Sequence, residues 1–266
     1  MKIVFETRFS FFGQGGWRSP ASKDPGLLFD PDRLKSRLEM FTRYTLASLA
    51  AQTDADFDQV ILSSEGLPDT MKTQLDAACA THLGDRATVI YRPQMSAGLA
   101  FRDYIRATYK GQSHVAQVVL DDDDALSHDF VAALRYQANC VICNPFHTDK
   151  ATFISFPRGL SIGLENGAPA WLSHRNVPYT NLGLALIAPP GFRKNPYMTS
   201  HRKIGLRHAS VVAGAERPFY LRAVHEHNDS RAISGDEHLN GEEIMAMLRY
   251  FPFLEGQISK KLQKAA

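Results

Sequence analysis

Four consecutive carboxylates, Asp121 to Asp124, follow directly on the apolar run Val118-Val119-Leu120. Carboxylates this close repel one another, and ionising them at the end of a buried strand costs stability unless positive charge sits beside them. A hard divalent cation with oxygen ligands, Mn²⁺ or Mg²⁺, is a natural partner. Such an ion bridges the phosphates of a nucleotide and neutralises the charge of a departing diphosphate. The other reading of the same residues is a solvated acidic turn before a helix capped by Ser127.

A second feature is a charge asymmetry. From Asn166 to Ala215 there is no Asp or Glu, while Arg175, Arg193, Lys194, Arg202, Lys203 and Arg207 fall in that stretch. A segment of one sign focuses anions. Arg202 and Lys203 are candidates to face a diphosphate or an anionic acceptor, such as a lipid-linked or acidic glycan; a basic loop surface is the alternative. Trp171, with His174, Arg175 and Tyr179 close by, could stack on an acceptor sugar or sit at the edge of a core. Cys140 and Cys143 form a lone Cys-x-x-Cys with His147 four residues on. Zinc would need a further ligand, so ordinary buried cysteines in a strand are expected. No P-loop, Gly-x-Gly-x-x-Gly or nucleophile-elbow pattern is present.

The elements that must position these residues alternate in the first half. Lys2–Thr7, Phe57–Ser63, Ala87–Arg92 and Val115–Leu120 read as strands. Pro31–Gln52, Pro68–Gly84, Gly98–Lys110 and a segment from Ser127 to about Asn139 read as helices. That alternation predicts an α/β fold with a mostly parallel central sheet flanked by helices. Ligands of such sheets bind outside the carboxyl ends of the strands, where Asp121–Asp124 would lie. The C-terminal half is more irregular, with strand candidates at Thr152–Phe156, Leu182–Ala188, Ala209–Ala213 and Phe219–Val224. A last helix is expected from Ser234 to Tyr250, on the strength of the Ser-Gly-Asp-Glu capping pattern.

With 266 residues and no long linker, the chain reads as one domain, 1–140 forming one half and 141–266 the other. Its 30 basic and 28 acidic side chains leave a net charge of +2, which speaks against a dedicated nucleic-acid binder. No apolar run approaches the roughly 18 residues of a membrane span. Glu6 and Arg8 interrupt the first apolar stretch, and three cysteines make no disulfide framework, so a cytoplasmic protein is expected, with at most weak peripheral membrane contact through Lys260, Lys261 and Lys264.

Leu120-Asp121-Asp122-Asp123 resembles the Asp-x-Asp motif of nucleotide-sugar glycosyltransferases of the GT-A fold. Ser48-Leu49 with Gln52-Thr53, Leu62 to Asp69, and Gly98 to Asp103 resemble three further motifs of that group, in the same order. The run from Arg37 through Phe57, with Arg8-Phe9-Ser10 and His225-Glu226-His227-Asn228, resembles a bacterial group of rhamnosyltransferases; Glu226 replaces a glycine of that pattern.

The resemblance implies a metal-dependent transfer of a hexosyl or deoxyhexosyl group, with inversion, from a nucleoside diphosphate donor to a hydroxyl acceptor in exopolysaccharide or surface-glycan synthesis. It implies Arg8, Ser64, Glu65, Arg102, Asp121 and Asp122 around the nucleotide, and Asp121, Asp123 and His225 on the metal. An inverting transfer needs a general base, usually a carboxylate. The acid-free stretch supplies none, and Asp229 and Asp236, which follow His225, are the candidates. Asp236 has a second reading, favourable negative charge at a helix N-terminus. Two rival functions use the same residues. One is a metal-dependent phosphohydrolase or nucleotidyltransferase, the other a non-catalytic glycan- or nucleotide-binding protein.

Overall fold

The computed structural model describes residues 1–14, 20–146, 148–165, 167–214, 216–225 and 238–258. In chain order the strands are β1 (Lys2–Arg8), β2 (Phe57–Ser64), β3 (Ala87–Arg92), β4 (Val115–Val119), β5 (Ala125–Leu126), β6 (Thr152–Ser155), β7 (Arg158–Glu165), β8 (Ala168–Asn176), β9 (Ala185–Ala188), β10 (Ser210–Val212) and β11 (Tyr220–Val224). The helices are α1 (Pro25–Leu28), α2 (Pro31–Met40), α3 (Ala47–Ala50), α4 (Asp69–Leu83), α5 (Ala97–Thr108), α6 (Phe130–Ile142), α7 (Ile204–Arg207) and α8 (Gly241–Leu248).

Seven strands form the main sheet in the order β10-β6-β9-β4-β1-β2-β3. Only β9 runs against its neighbours. β1 is buried on both faces, as a central parallel strand requires. Ile3 and Phe5 meet Leu34, Phe41, Leu75 and Leu134 from the helices on one side. Val4 meets Phe101 and Ile105 of α5 on the other. A second sheet, β5-β11-β7-β8, lies beyond the first. Its Leu160, Ile162, Leu172 and Leu221 pack on Met40, Tyr44, Ile244 and Phe251.

The predicted helix 31–52 is present as a rod interrupted by chemistry the sequence pattern did not reveal. Between α2 and α3 the stretch Phe41–Leu46 is π-helical. The rod faces two cores at once, with Leu34 and Phe41 in the first and Met40 and Tyr44 in the second. Its N-terminus follows the expectation: Asp30 accepts from the Arg33 amide, and Pro31 opens the first turn.

Three readings need correction, and the hairpin β7–β8 has no counterpart among the expected strands. The hairpin β7–β8 carries no clear alternation, because Gly159, Gly163 and Pro169 interrupt it. Gly163 is there for space: a Cβ would lie 2.0 Å from the Trp171 ring on the paired strand. The last helix starts later than expected. Ser234 lies outside the described residues, His238 pairs with Ser173, and the capping box is Asn240 with Glu243. Ser127 does not occupy the N-cap of α6; Asp129 does, and the Ser127 hydroxyl donates to it. Cys140 and Cys143 are exposed at the end of α6, not buried in a strand, because its apolar stripe is Phe130, Val131, Leu134 and Ala138.

One carboxyl is buried in the sheet itself. Glu6 on β1 is fully buried, and the Asn195 side-chain amide donates to its Oε1 at 2.9 Å and to Gln117 Oε1 at 3.0 Å. These bonds tie the segment after β9 to the sheet. Burial pushes the Glu6 carboxyl up to about 8, against the opposing Asn195 hydrogen bond. The unfolded chain therefore releases this proton first, and the contribution of Glu6 to stability falls as pH rises from about 4.5 to about 8. Glu6→Gln should remove most of that slope, read by urea unfolding at a series of pH values.

Candidate active site

Asp121 to Asp124 lie where the chain leaves the first sheet for the second. β4 ends at Val119, and β5 pairs Ala125 with Leu221 of β11. The short loop between them is anchored from its backbone. Thr45 Oγ1, in the π-helical stretch, donates to the Asp124 carbonyl at 2.8 Å. Gln52 Nε2 donates to the Ser127 carbonyl at 2.8 Å, and its Oε1 accepts from the Val131 amide, one of the open donors at the start of α6. Asp124 turns back to the second sheet, its Oδ1 accepting from the Ala223 amide at 3.0 Å.

The positive charge demanded by the acidic run is a side chain. Arg37 of α2 is buried, with Nε donating to Asp122 Oδ2 at 3.2 Å, Nη2 donating to Asp122 Oδ1, and Nη1 donating to Asp123 Oδ2 at 3.0 Å. The guanidinium thus forks onto one carboxylate and reaches the next. His225, directly after β11, places Nε2 at 3.1 Å from the same Asp123 oxygen. An ionised carboxylate only accepts, so the proton of this bond is on Nε2.

These contacts split four chemically identical groups. Burial raises Asp122, and Arg37 limits the rise, leaving it at about 6. At Asp123 burial is outweighed by Arg37 and His225, which hold it at about 2. Burial and the Asp123 charge push Asp124 well above the carboxylate range. Burial also raises Asp121, with Arg8 opposing. Asp121 is the most accessible of the four, its side chain 38% exposed, and its Oδ1 lies 3.7 Å from Arg8 Nη2. Arg8 closes β1 and lies over the Tyr197 ring, 4.8 Å from its centroid. Tyr197 in turn stacks on Phe101 of α5.

Asp121, Asp122, Asp123, Arg8 and His225 are therefore brought to one edge, the carboxyl ends of β1, β4 and β11. Ser64 closes β2 beside them, but its hydroxyl is engaged in holding the chain after β1: it accepts from the Phe12 amide at 2.7 Å. Glu65 is exposed, with its amide bonded to the Arg92 carbonyl. Arg102 pairs with Asp103 on its own helix at 2.8 Å. Trp171 stacks on His238, ring centroids 5.0 Å apart. Arg202 and Lys203 lie on an exposed 3-10 turn, His201–Lys203. The candidate bases Asp229 and Asp236 lie outside the described residues. Arg37 and Thr45 fall in the run 37–57 that carries the family resemblance, but no site role is expected of them from the sequence, although positions 37, 41 and 45 repeat every four residues and so share one helix face.

Asp121, Asp123 and His225 have the donor chemistry of a Mn²⁺ or Mg²⁺ site. They do not converge as arranged. Among the described residues no group of three His, Cys, Asp or Glu side chains is disposed to hold a metal ion. Asp121 faces Arg8, and the Asp123 oxygen is shared by Arg37 and a protonated His225 nitrogen.

Removing Arg37 would leave buried carboxylates without their counter-charge. Arg37→Met should lower the unfolding free energy by ~3–5 kcal/mol, the cost of breaking a buried pair from one side. Arg8→Met, facing a partly exposed partner, should cost less than ~1 kcal/mol. Urea denaturation at neutral pH separates the two.

No curated protein matches the chain. Among solved structures it is similar to S. aureus TarS 1–349, at 12% identity and TM-score 0.45, over 84% of this chain and 60% of that one. It is also similar to the galactosyltransferase LgtC in complex with donor and acceptor sugar analogs, at 13% identity and TM-score 0.31, over 76% of this chain and 62% of that one. The chain thus spans less than two thirds of either structure, and likenesses this distant carry no assignment. The assignment rests on the family model, which matches residues 2–237: the chain belongs to the family described as "Putative rhamnosyl transferase".

Proposed function

We propose that the protein transfers a hexosyl or deoxyhexosyl group from a nucleoside diphosphate donor to a hydroxyl of a glycan or lipid-linked acceptor, with inversion, in exopolysaccharide or surface-glycan synthesis. The observation that carries this reading is the gathering of Arg8, Asp121, Asp123 and His225 at the carboxyl edge of the parallel strands. That is the edge where α/β sheets take their ligands. Family membership supplies the class of reaction.

The chain's own residues have distinct tasks in this account. Arg8 offers a planar fork to a diphosphate oxygen pair, and its stacking on Tyr197 holds it in place. Asp121, partly exposed beside it, accepts hydrogen bonds from the donor's ribose hydroxyls. Charge developing on the departing diphosphate meets the Arg8 guanidinium, already held in position by Tyr197. Asp229 or Asp236 would take the acceptor proton.

Asp121 and Asp123, with His225, are the residues that would hold a Mn²⁺ or Mg²⁺ ion. Such an ion would add charge neutralisation at the diphosphate. The three do not converge as arranged, so no step is assigned to it.

The test is a calorimetric panel of nucleoside diphosphates and nucleotide sugars, each with and without Mn²⁺, followed by turnover assays on the donor that binds. Binding of one nucleotide sugar, with Asp121→Asn and Arg8→Met each weakening it at least ~tenfold, a loss of ~1.4 kcal/mol, is the expected result. Release of inorganic phosphate or pyrophosphate without sugar transfer would favour the phosphohydrolase or nucleotidyltransferase. Binding without turnover on any donor or acceptor would favour a non-catalytic protein.

A further inference from the structure

The acid-free stretch does not gather where the donor is proposed to bind. β6 and β10 run parallel to β4, because both β4 and β6 oppose β9 and β10 follows β6. The residues just before β6 and β10 therefore collect at the amino edge of the sheet, opposite Asp121. There they line a cleft of about 200 Å³ with Lys150, Phe153, Lys194, Arg207 and His208 in its wall. An adjoining cleft shares Lys194 and Arg207 and adds Lys203 and Met198. Asp149 is the one acid among these lining residues.

Two properties of this surface are unusual together. Its cations are uncommitted: among the described residues, Lys150, Lys194, Arg202, Lys203 and Arg207 form no ion pair with an acidic side chain. Apolar side chains also stand out among them. Leu206 is 87% exposed on α7, between Lys203 and Arg207, and Phe146 is 89% exposed three residues before Asp149. They are the two most exposed large apolar side chains among the described residues, and Met198, in the wall of the adjoining cleft, is partly exposed as well.

We propose that this amino-edge surface docks on an anionic lipid bilayer, with Leu206 and Phe146 entering the acyl boundary and Lys150, Lys203 and Arg207 meeting the headgroups. A polyanion in water, glycan or nucleic acid, would be met by the cations alone and would give Leu206 and Phe146 nothing to enter. A bilayer rewards both, through buried apolar area and headgroup attraction. A second copy of this chain, presenting the same face, would bring like charges together. The inference rests on charge and exposure, not on the transferase reading, and its test uses no sugar donor.

The experiment is flotation of the full chain with vesicles of phosphatidylcholine alone and of phosphatidylcholine mixed with phosphatidylglycerol. Association with the mixed vesicles only, weakening as salt is raised, is expected. Leu206→Asp should reduce the bound fraction at least ~tenfold, and so should Lys203→Glu combined with Arg207→Glu. Leu27→Asp, at a half-exposed apolar position on α1, should not. All four positions are exposed, so unchanged circular dichroism and urea midpoints are expected to confirm intact folding. Phe146→Asp serves as a second apolar probe should Leu206→Asp disturb α7.

No association with either vesicle, or equal association with both, overturns the proposal. Binding to mixed vesicles that Leu206→Asp and Phe146→Asp both leave unchanged also overturns it, since charge alone would then act. So does release by inorganic phosphate at constant ionic strength, which would mark a small-anion site.

Discussion

Carboxylates inside a protein need a partner, and the architecture at the carboxyl edge of this sheet follows from that need. Asp122 and Asp123 are buried where two sheets meet, and the Arg37 guanidinium spans both. That position is available because the first long helical rod lies between the two cores, anchored by Leu34 and Phe41 on one side and Met40 and Tyr44 on the other. The same rod delivers Thr45 to the loop backbone and Gln52 to the start of α6. One helix therefore sets the path, charge and exit of the acidic loop. With Asp122 and Asp123 occupied in this way, Asp121 is left as the carboxylate that faces outward beside Arg8.

Much of this was legible in the sequence, for reasons that can be named. The four parallel strands of the first half are short apolar runs bounded by turn residues and separated by helical periods, and the fold is a direct consequence of that pattern. The acidic run directly after an apolar strand located the edge of the site. Its need for positive charge was also legible, and a metal ion was the expected answer. The partnership of Arg37 with Asp122 and Asp123, 85 and 86 residues further on, was hidden because long-range pairing leaves no local signature. The four-residue repeat at 37, 41 and 45 shows which face of the helix these residues share, but not what that face meets.

The C-terminal half was less legible. The hairpin β7–β8 depends on Gly163 making room for a cross-strand Trp171, a three-dimensional fit that weakens the alternation by which strands are found. The capping pattern before the last helix occurs twice in close succession, and the later one, at Asn240, is used. The charge asymmetry of the 166–215 stretch was visible as composition, whereas its place at the amino edge depends on β9 reversing direction between β4 and β6. The sheet thus presents two charged edges of different character. The carboxyl edge pairs acid with base in buried contacts, and the amino edge leaves cations and apolar tips exposed.

The claim on which the account depends is that Arg37 and the buried carboxylates are one energetic unit. A double-mutant cycle with Arg37→Met, Asp122→Asn and the pair, read by urea unfolding at neutral pH, tests it most directly. The account predicts a coupling of ~2 kcal/mol or more, with the double variant more stable than the sum of the single losses implies. Losses that add to within ~0.5 kcal/mol would contradict it, because the guanidinium and the carboxylate would then be acting independently.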